Sequence, residues 1–385
     1  MLRTLGLVGP MHRTALAQKL GVSPATITEL TRELLDLGLL RTAGKEPSRG
    51  GRPKELLALV SNSGHLLGVK VASDRVIGVV VDLAGTVVSD FEAPFDARTD
   101  DPISALEAVL ADRLDDEALL GVGLGVPGMV DRTGGGRVTA PTLDWVDIQL
   151  GSELQERLGL PVIVENDVHT LAVAERIFGR GAEVSDFITI TLGEGVGLGI
   201  VIGGELHTGA HGGAAEIGHV IVDPSGPQCR CGKRGCLEAI ASEPALVRAG
   251  IEAGVIAQGD TIADLRSAPA AAPIFAEAGR HIGRTVATVV TLLAPEMILL
   301  AGAGVASWPL LEPSFAAEFG SSVVAVHAGI PVVADAFEDL DWARGAASLL
   351  ARTIFSPSAS DGTVERLVRS RLAASAQLRI AADGR

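Results

Sequence analysis

All three cysteines of this 385-residue chain lie in one short segment, and a histidine precedes the first of them by ten residues. The four residues are His219, Cys229, Cys231 and Cys236. Three thiolates and an imidazole form the closed tetrahedral donor set of a structural zinc site. The odd number of cysteines and a reducing cytoplasm disfavour disulfides, which leaves three buried free thiols as the alternative. We predict a structural zinc ion here, without an open coordination position for catalysis.

Charge is distributed unevenly along the chain. Up to Val60 there are nine Lys or Arg and five Asp or Glu, a balance of +4, so the remainder of this −15 chain carries −19. Such a split is typical of a polyanion-binding module joined to a body that binds something else, although scatter in composition can also produce it. Aromatic residues make up 3% and tyrosine is absent, which argues against a stacking surface for single-stranded nucleic acid. Without a membrane-length apolar run or a secretory leader, we expect a cytoplasmic protein.

The first sixty residues carry a helix-turn-helix pattern. The spacing of apolar residues predicts helices over Arg13–Leu20 and Pro24–Leu37. Gly21 separates them, Ser23 provides the N-cap of the second helix, and Gly38 ends it. The residues of the second helix predicted to be buried are Ile27, Leu30 and Leu34, with Leu37 as a further candidate. The residues predicted to face outward are Ala25, Thr26, Thr28, Glu29 and Arg32.

A basic hairpin is predicted to follow these helices. Strands at Leu39–Arg41 and Leu56–Val60 flank the glycine-rich tip Arg49–Pro53, whose arginines suit a narrow minor groove. An ordinary two-helix cap accounts for the helices but not for this hairpin. We therefore predict that residues 1–62 form a winged helix-turn-helix domain that binds double-stranded DNA. The predicted DNA contacts are Ser23, Ala25, Thr26, Thr28, Arg32, Arg49 and Arg52.

From Gly64 onward, runs of β-branched residues alternate with helical stretches, which indicates an α/β body. The predicted strands are 66–71, 76–82, 119–126, 162–164, 187–192, 199–202 and 297–300. The predicted helices are 103–113, 151–158, one from Val168 onward, and 282–293. We expect this body to span residues 63–355. Residues 356–385, rich in Ala, Ser and Arg, are expected to form a tail that is either a weak helix or disordered.

Several stretches of the body resemble motifs of the ROK family, which contains transcriptional repressors and sugar kinases. They are Gly125–Asp131, Glu165–Asp167, Thr191–Gly204 and Glu216–Cys236. The last, with its metal ligands, is the most specific, and the resemblance extends from about Gly64 to Leu350. It implies two α/β lobes with a ribonuclease-H-like core and a sugar-binding cleft, assembled as homodimers or homotetramers. The added N-terminal head resembles that of the repressor branch.

The resemblance also implies which residues contact a sugar. They are Asn166, Asp167, Glu216, His219 and Glu238. Carboxylates and an amide suit adjacent hydroxyls, and His219 could bind zinc through one ring nitrogen and the sugar through the other. From the residues alone, Asn166 or Asp167 could instead cap the following helix, and Glu238 could be an exposed helix residue. In the family's kinases, the residue at Asp167 is implied to be the general base.

The implied ATP site is altered. At the family's Asp-x-Gly-Gly-Thr-Lys phosphate turn, this chain has other residues at every defined position: Lys70, Ala72, Ser73, Asp74 and Arg75. A lysine cannot hold Mg²⁺, and added side chains prevent close backbone approach to a phosphate. A second loop has Glu194 where the kinases usually have threonine, and like charges ~4 Å apart repel by about 4 kcal/mol at an effective dielectric of ~20. Lys70 and Arg75 holding a sugar phosphate is an alternative.

These features predict a sugar-responsive regulator, most simply a repressor, with zinc, an intact sugar site and a degenerate ATP site. We do not expect an enzyme. One alternative is an ATP-dependent sugar kinase that keeps a DNA-binding head. Another is a zinc-stabilised regulator with a vestigial cleft. Thr142 and Leu143 stand where the family often has an Asn–Leu pair near the ligand, so we expect an altered hexose pattern.

Overall fold

The computed structural model of the chain describes residues 1–46, 53–133, 135–335, 337–355 and 363–383. The chain forms two compact units. The first joins Met1–Gly179 with Asp339–Arg385, and the second is Arg180–Glu338. Among the helices in the described ranges, none has both the length and the apolar character that crossing a bilayer requires.

The head of the first unit has three helices and three strands. They are α1 (Leu2–Val8), β1 (Met11–His12), α2 (Arg13–Leu20), α3 (Pro24–Asp36), β2 (Leu40–Glu46) and β3 (Lys54–Leu59). The strands form an antiparallel sheet in the order β1-β3-β2. Leu5, Leu16, Ile27 and Leu57 are buried between helices and sheet. The predicted helix-turn-helix and hairpin strands are confirmed, whereas α1 and β1 were not predicted.

One face of α3 differs from the prediction. Ile27 and Thr31 are buried, while Leu30 is 38% exposed. The Nε atom of Arg13 donates to Thr31 Oγ1 at 3.1 Å, so the buried hydroxyl has a partner inside the head. The prediction that Leu30 is buried is therefore wrong. Residues 27 and 31, one turn apart, define the inward face, and Leu30 lies to the side of it.

After the head, the first unit continues with a five-stranded mixed sheet and the helices that accompany it. Its elements up to α6 are β4 (His65–Val71), β5 (Arg75–Asp82), β6 (Val87–Pro94), α4 (Pro102–Ala111), β7 (Leu119–Val126), β8 (Met129–Asp131), β9 (Arg137–Ala140), β10 (Trp145–Ile148), α5 (Leu150–Leu158), β11 (Val162–Asn166) and α6 (Asp167–Phe178). The order is β11-β7-β4-β5-β6, in which β4, β7 and β11 pair in parallel and β5 pairs antiparallel with β4 and β6. Strands β8–β10 form a separate small sheet. Polar residues at the end of β11 lie at the sheet edge where α/β proteins bind ligands.

The second unit repeats this topology. Its elements are β12 (Phe187–Leu192), β13 (Val196–Ile202), β14 (Glu205–Leu206), α7 (Leu237–Ala241), α8 (Glu243–Glu252), α9 (Ile262–Ser267), α10 (Ala272–Leu293), β15 (Met297–Ala301), α11 (Trp308–Ser322) and β16 (Val332–Ala334). The order is β14-β13-β12-β15-β16, again with three antiparallel strands followed by parallel ones. The predicted α/β class with two ribonuclease-H-like units is confirmed.

Two more helices belong to the first unit: α12 (Asp339–Phe355) and α13 (Thr363–Asp383). Helix α12 lies so close to the sheet that only glycine fits beneath it. A Cβ atom at Gly68 would be 2.0 Å from the carbonyl oxygen of Ala343, and one at Gly123 would be 2.0 Å from that of Ala346. The small residues of α12 and the glycines of β4 and β7 therefore determine this contact.

Helix α13 is docked on the first unit, where sequence indicated a weak helix or disorder. Leu372 is buried, and Ser375 Oγ donates to the carbonyl oxygen of Ser63 at 2.7 Å. The guanidinium of Arg371 donates to the carbonyl oxygen of Leu119 at 3.0 Å. The helical alternative is the one found, and it contacts both the sheet and the segment that joins the head to the sheet.

Candidate functional sites

Helix α3 and its N-cap expose five of the seven residues that the sequence assigned to DNA contact. They are Ser23, Ala25, Thr26, Thr28 and Arg32. Ser23 Oγ accepts a hydrogen bond from the Thr26 N–H at 3.1 Å, which satisfies a first-turn donor. Small and hydroxyl side chains let a helix approach base edges, and Arg32 can reach a phosphate or a guanine. Their contact with DNA stays a prediction, and Arg49 and Arg52 lie outside the described residues.

The four residues assigned to a metal come together in the second unit. One ligand atom from each of them lies within 4.8 Å of all the others. Cys231 Sγ is 3.6 Å from Cys236 Sγ, and His219 Nδ1 is 3.7 Å from Cys229 Sγ. Ligands about 2.3 Å from a tetrahedral Zn²⁺ are about 3.8 Å apart, whereas a disulfide requires about 2.05 Å. The spacing therefore fits a four-coordinate ion and not a disulfide.

Two glycines let the segment fold around this cluster. Gly232 and Gly235 have φ of 89° and 67°, in the region that favours glycine. A Cβ atom at Gly235 would lie 1.4 Å from the carbonyl oxygen of Asp223, so a side chain is excluded there. The N–H of Cys229 bonds to the carbonyl oxygen of Lys233 at 2.8 Å and closes the turn.

His219 connects the cluster to a carboxylate outside it. Its Nδ1 faces Cys229, and its Nε2 lies 4.0 Å from Glu216 Oε2. The amine of Lys233 donates to the His219 carbonyl oxygen at 2.9 Å and holds the backbone. With a metal on Nδ1, the proton would reside on Nε2, which could then donate to a hydroxyl or to Glu216. Glu216 is exposed and can reach a ligand.

The other residues assigned to sugar include Asn166, at the point where β11 passes into α6. Asn166 is the N-cap of α6, because its Oδ1 accepts the His169 N–H at 3.2 Å. Its Nδ2 donates to the carbonyl oxygen of Gly128 at 2.9 Å. The capping alternative is thus realised for Asn166. Each end of the amide retains capacity for one further hydrogen bond, so capping and ligand contact are compatible.

Asp167 begins α6 and is partly buried. Its Oδ1 accepts the Val168 N–H at 2.9 Å. Burial raises the pKa of Asp167 to about 6, although the charges of Lys70 and His169 and the Val168 hydrogen bond act in the opposite direction. A carboxylate with this pKa is a stronger proton acceptor than an ordinary aspartate and is still mostly ionised near pH 7. It is therefore suited to accept a hydrogen bond from a hydroxyl.

Sequence reasoning named Glu165 only as part of a family motif and assigned it no role. Glu165 is fully buried, and its Oε1 accepts the Asn166 N–H at 2.9 Å and contacts His169 Nδ1 at 3.0 Å. Its Oε2 lacks a hydrogen-bond partner among the described residues and lies 3.9 Å from Arg132 Nε. A buried carboxylate is costly unless hydrogen-bond donors or cations surround it, and here the Asn166 N–H, His169 and Arg132 have that role. The i,i+4 spacing of Glu165 and His169 across the helix start was the available signal.

Glu238 is ion-paired, not an exposed helix residue. Its Oε1 lies 3.1 Å from Arg230 Nε, and its side chain is 14% exposed. Its Oε2 accepts the Val196 N–H at 3.4 Å. Arg230 also donates to the carbonyl oxygen of Glu194 at 3.2 Å. These contacts hold Glu238 against the loop Gly193–Gly195 of the second unit.

Three acidic residues lie in or next to the loop Gly193–Gly195: Glu194, Glu238 and Glu243. The Glu243 N–H bonds to the carbonyl oxygen of Gly193 at 2.8 Å, and the Glu243 carboxylate interacts electrostatically with Glu194. Burial raises the pKa of Glu243; Arg266 opposes this rise and Glu194 adds to it. A phosphate about 4 Å from any one of these carboxylates would be repelled by about 4 kcal/mol at an effective dielectric of ~20. That this loop disfavours a nucleotide phosphate stays a prediction.

The cations of the β4–β5 turn are both paired with one carboxylate. Lys70 Nζ lies 2.6 Å from Asp339 Oδ1, and Arg75 Nη2 lies 3.0 Å from Asp339 Oδ2. Arg75 Nε is also 3.4 Å from Glu92 Oε1, and the Lys70 amine lies 5.0 Å from the ring centroid of Trp342. Any phosphate held by Lys70 and Arg75 would have to displace Asp339.

A family model described as the ROK family matches residues 66–353, well over half of the chain. The chain belongs to the ROK family. It is 28% identical over 373 residues to the DNA-binding transcriptional dual regulator NagC of Escherichia coli K12, with 92% of each chain covered. It is 29% identical over 322 residues to the xylose repressor of Bacillus spizizenii, covering 82% of this chain and 84% of the repressor.

Solved structures of ROK proteins show the same likeness. A ROK family transcriptional regulator described as a homolog of the E. coli MLC protein superposes with a TM-score of 0.76 and 27% identity, covering 98% of this chain and 97% of that one. A ROK family glucokinase from Streptomyces griseus, in complex with glucose and AMPPNP, has a TM-score of 0.65 and 30% identity. It covers 74% of this chain and 99% of its own. Of these two structures, the regulator is the one that matches nearly the whole chain.

Proposed function

We propose that this ROK protein is a sugar-responsive transcriptional repressor with a structural zinc and no kinase activity. Residues 1–62 would bind an operator, and residues 63–355 would bind a sugar. The observation that carries the proposal is the winged helix-turn-helix head, whose α3 exposes small and hydroxyl side chains. The likeness to a transcriptional regulator over 92% of each chain supports it.

The proposed sugar contacts are Asn166, Asp167, Glu216, His219 and Glu238. Asn166 keeps spare hydrogen-bonding capacity after capping α6, and the pKa of Asp167, about 6, suits a hydroxyl donor. Glu216 is exposed beside the free ring nitrogen of His219. These groups suit the adjacent hydroxyls of a neutral monosaccharide. Relatives of this chain are named for N-acetylglucosamine and xylose, which are sugars of that class.

The proposed metal is zinc, held by the four residues of the cluster in the second unit. When bound, zinc would fix the tautomer and orientation of His219, so that Nε2 can donate to a hydroxyl. Because protein atoms would fill all four positions, the ion would supply rigidity and not a reacting water. Loss of the ion would then disturb the sugar contacts next to it.

Sugar binding is proposed to act on DNA affinity through a homodimer or homotetramer in the cytoplasm. Two heads would engage operator half-sites separated by about 34 Å or a multiple of it. A coupling free energy of ~1–3 kcal/mol would change operator affinity by roughly 5–150-fold.

The test is binding of the zinc-loaded protein to duplexes from the region upstream of its own gene, measured by fluorescence anisotropy. Xylose, N-acetylglucosamine and glucose are added in turn. We expect specific binding that one sugar class changes by a factor of about 5–150. A folded, zinc-loaded sample that binds these duplexes no better than random DNA would contradict the proposal.

A second candidate function is sugar phosphorylation, favoured by the likeness to a glucokinase and by the raised pKa of Asp167. A coupled assay with ATP, Mg²⁺ and a panel of hexoses decides between the two. We expect no sugar-dependent ADP release, because acidic residues lie in and next to the loop Gly193–Gly195, which is predicted to face the ATP phosphates in a kinase of this family. Turnover that disappears in Asp167→Ala would establish a kinase.

A further inference from the structure

We infer that Lys70 and Arg75 form an oxyanion-binding site that the chain fills with its own carboxylate, Asp339. Removal of that carboxylate is expected to open the site to inorganic phosphate. The inference does not depend on the sugar or on the operator, since it concerns only contacts within the first unit.

The geometry is that of a bound anion held by two cations. Lys70 donates to one oxygen of Asp339 at 2.6 Å, and Arg75 donates to the other at 3.0 Å. The Lys70 side chain is 20% exposed and lies over the face of Trp342, so its ammonium depends on Asp339 for pairing more than a solvated lysine would. The Asp339 side chain is 44% exposed, so a competing anion can reach the cations from solvent.

The ionisation of these groups agrees with that arrangement. Partial burial would raise the pKa of Asp339, but the hydrogen bonds and charges of Lys70 and Arg75 outweigh it and lower the pKa below 3.8. The hydrogen bond to Asp339 is also the main cause that raises the pKa of Arg75. Asp339 and Arg75 therefore each favour the charged form of the other.

A tetrahedral oxyanion can replace the carboxylate because it also presents two oxygens to a lysine and an arginine. Other charges face the site and limit its affinity. Arg75 is also close to two other carboxylates, with Nη1 3.3 Å from Asp74 Oδ1 and Nε 3.4 Å from Glu92 Oε1. Asp167 interacts electrostatically with Lys70. We therefore expect a weak phosphate site and not a nucleotide site.

In the unaltered protein, the internal carboxylate excludes free phosphate. An attached group competes at an effective concentration on the order of millimolar or higher, depending on how the chain holds it. Free phosphate at lower concentration cannot displace it. The wild-type turn is therefore expected to be indifferent to phosphate, and Asp339 instead ties the β4–β5 hairpin to the first residue of α12.

The test compares the full-length wild-type protein with Asp339→Asn, which keeps the shape of the side chain and removes its charge. Thermal unfolding and tryptophan fluorescence are followed during titration with inorganic phosphate, against sodium chloride at matched ionic strength. We expect saturable stabilisation of Asp339→Asn by phosphate, with an apparent affinity at least tenfold tighter than that of wild type. Asp341→Asn is the matched control, because Asp341 lies in the same helical turn but pairs with Arg344.

Lys70→Met in the Asp339→Asn background is expected to abolish the phosphate effect. Should Asp339→Asn fail to fold, Asp339→Ser makes the same test. A folded Asp339 variant that ignores phosphate would overturn the inference, as would a wild-type protein that binds phosphate equally well. A phosphate effect that survives Lys70→Met would also overturn it, because the anion would then bind elsewhere.

Discussion

Replacement of Asp167 by asparagine is expected to stabilise the protein and to remove its sugar response. Burial raises the pKa of Asp167 to about 6 from an ordinary 3.8, so above pH 6 the native state holds an ionised group where charge is disfavoured. Asparagine carries no charge and its Oδ1 can still accept the Val168 N–H, as Asp167 does at 2.9 Å. The carboxylate would thus be retained for binding and not for stability.

The magnitude follows from the two pKa values. A difference between 3.8 and about 6 corresponds to about 3 kcal/mol at 1.36 kcal/mol per tenfold change in proton affinity. Because folding raises this pKa, the group is protonated in both the folded and the unfolded state below pH 3.8. It then costs no folding free energy. The penalty grows as pH rises from there and levels off above pH 6. At pH 5 the penalty is about half of its value at pH 8, where it reaches about 3 kcal/mol as an upper bound.

The assay is urea unfolding of both proteins at pH 5 and pH 8, followed by tryptophan fluorescence. We expect Asp167→Asn to gain stability at both values, and roughly twice as much at pH 8. The exposed Asp100 provides a control, since Asp100→Asn removes a charge that is not buried. Equal gains at the two pH values, or a loss at pH 8, would refute burial as the cause. A variant that keeps the sugar response would show that Asp167 does not bind the sugar.

Three further changes test the other sites. Cys231→Ser is expected to lose zinc, measured by elemental analysis, and an unchanged metal content would refute the ligand set. Arg32→Ala is expected to weaken duplex binding and to reduce the slope of log K against log salt by about 1 if Arg32 contacts a phosphate. As a control, Arg98→Ala, outside residues 1–62, should change neither the duplex affinity nor the salt slope. Leu372→Ala in α13 is expected to cost about 2–5 kcal/mol of unfolding free energy in denaturant titration, whereas exposed Leu367→Ala should change it by less than about 0.5 kcal/mol.

Features that depend on neighbouring residues could be predicted from sequence. The cysteine segment and His219 share one short stretch, so ligand type and spacing were enough to bring them together. Gly21 and Gly38 end their helices with the expected left-handed φ of 64° and 71°, because each conformation is set by a single turn. The N-cap at Ser23 was predictable for the same reason.

Features that depend on distant partners could not be predicted. Thr31 is buried in place of Leu30 because Arg13, on another helix, satisfies its hydroxyl. Lys70 and Asp339 are 269 residues apart, and no local pattern links them. From the sequence, a phosphate held by Lys70 and Arg75 was only an alternative, whereas the actual pairing of Lys70 with Asp339 depends on the approach of α12 to the sheet.

The first unit cannot finish folding until helix α13, close to the end of the chain, has been synthesised. Ser375 bonds to Ser63 across 312 residues, and at about 5–20 residues per second a ribosome needs roughly 15–60 s to make that intervening chain. During this interval the head and its adjoining strand exist without the helix that later holds their junction. The proposed DNA-binding head is therefore made before the helix that fixes its junction with the sheet, and we expect the proposed coupling between sugar and operator to require the finished chain.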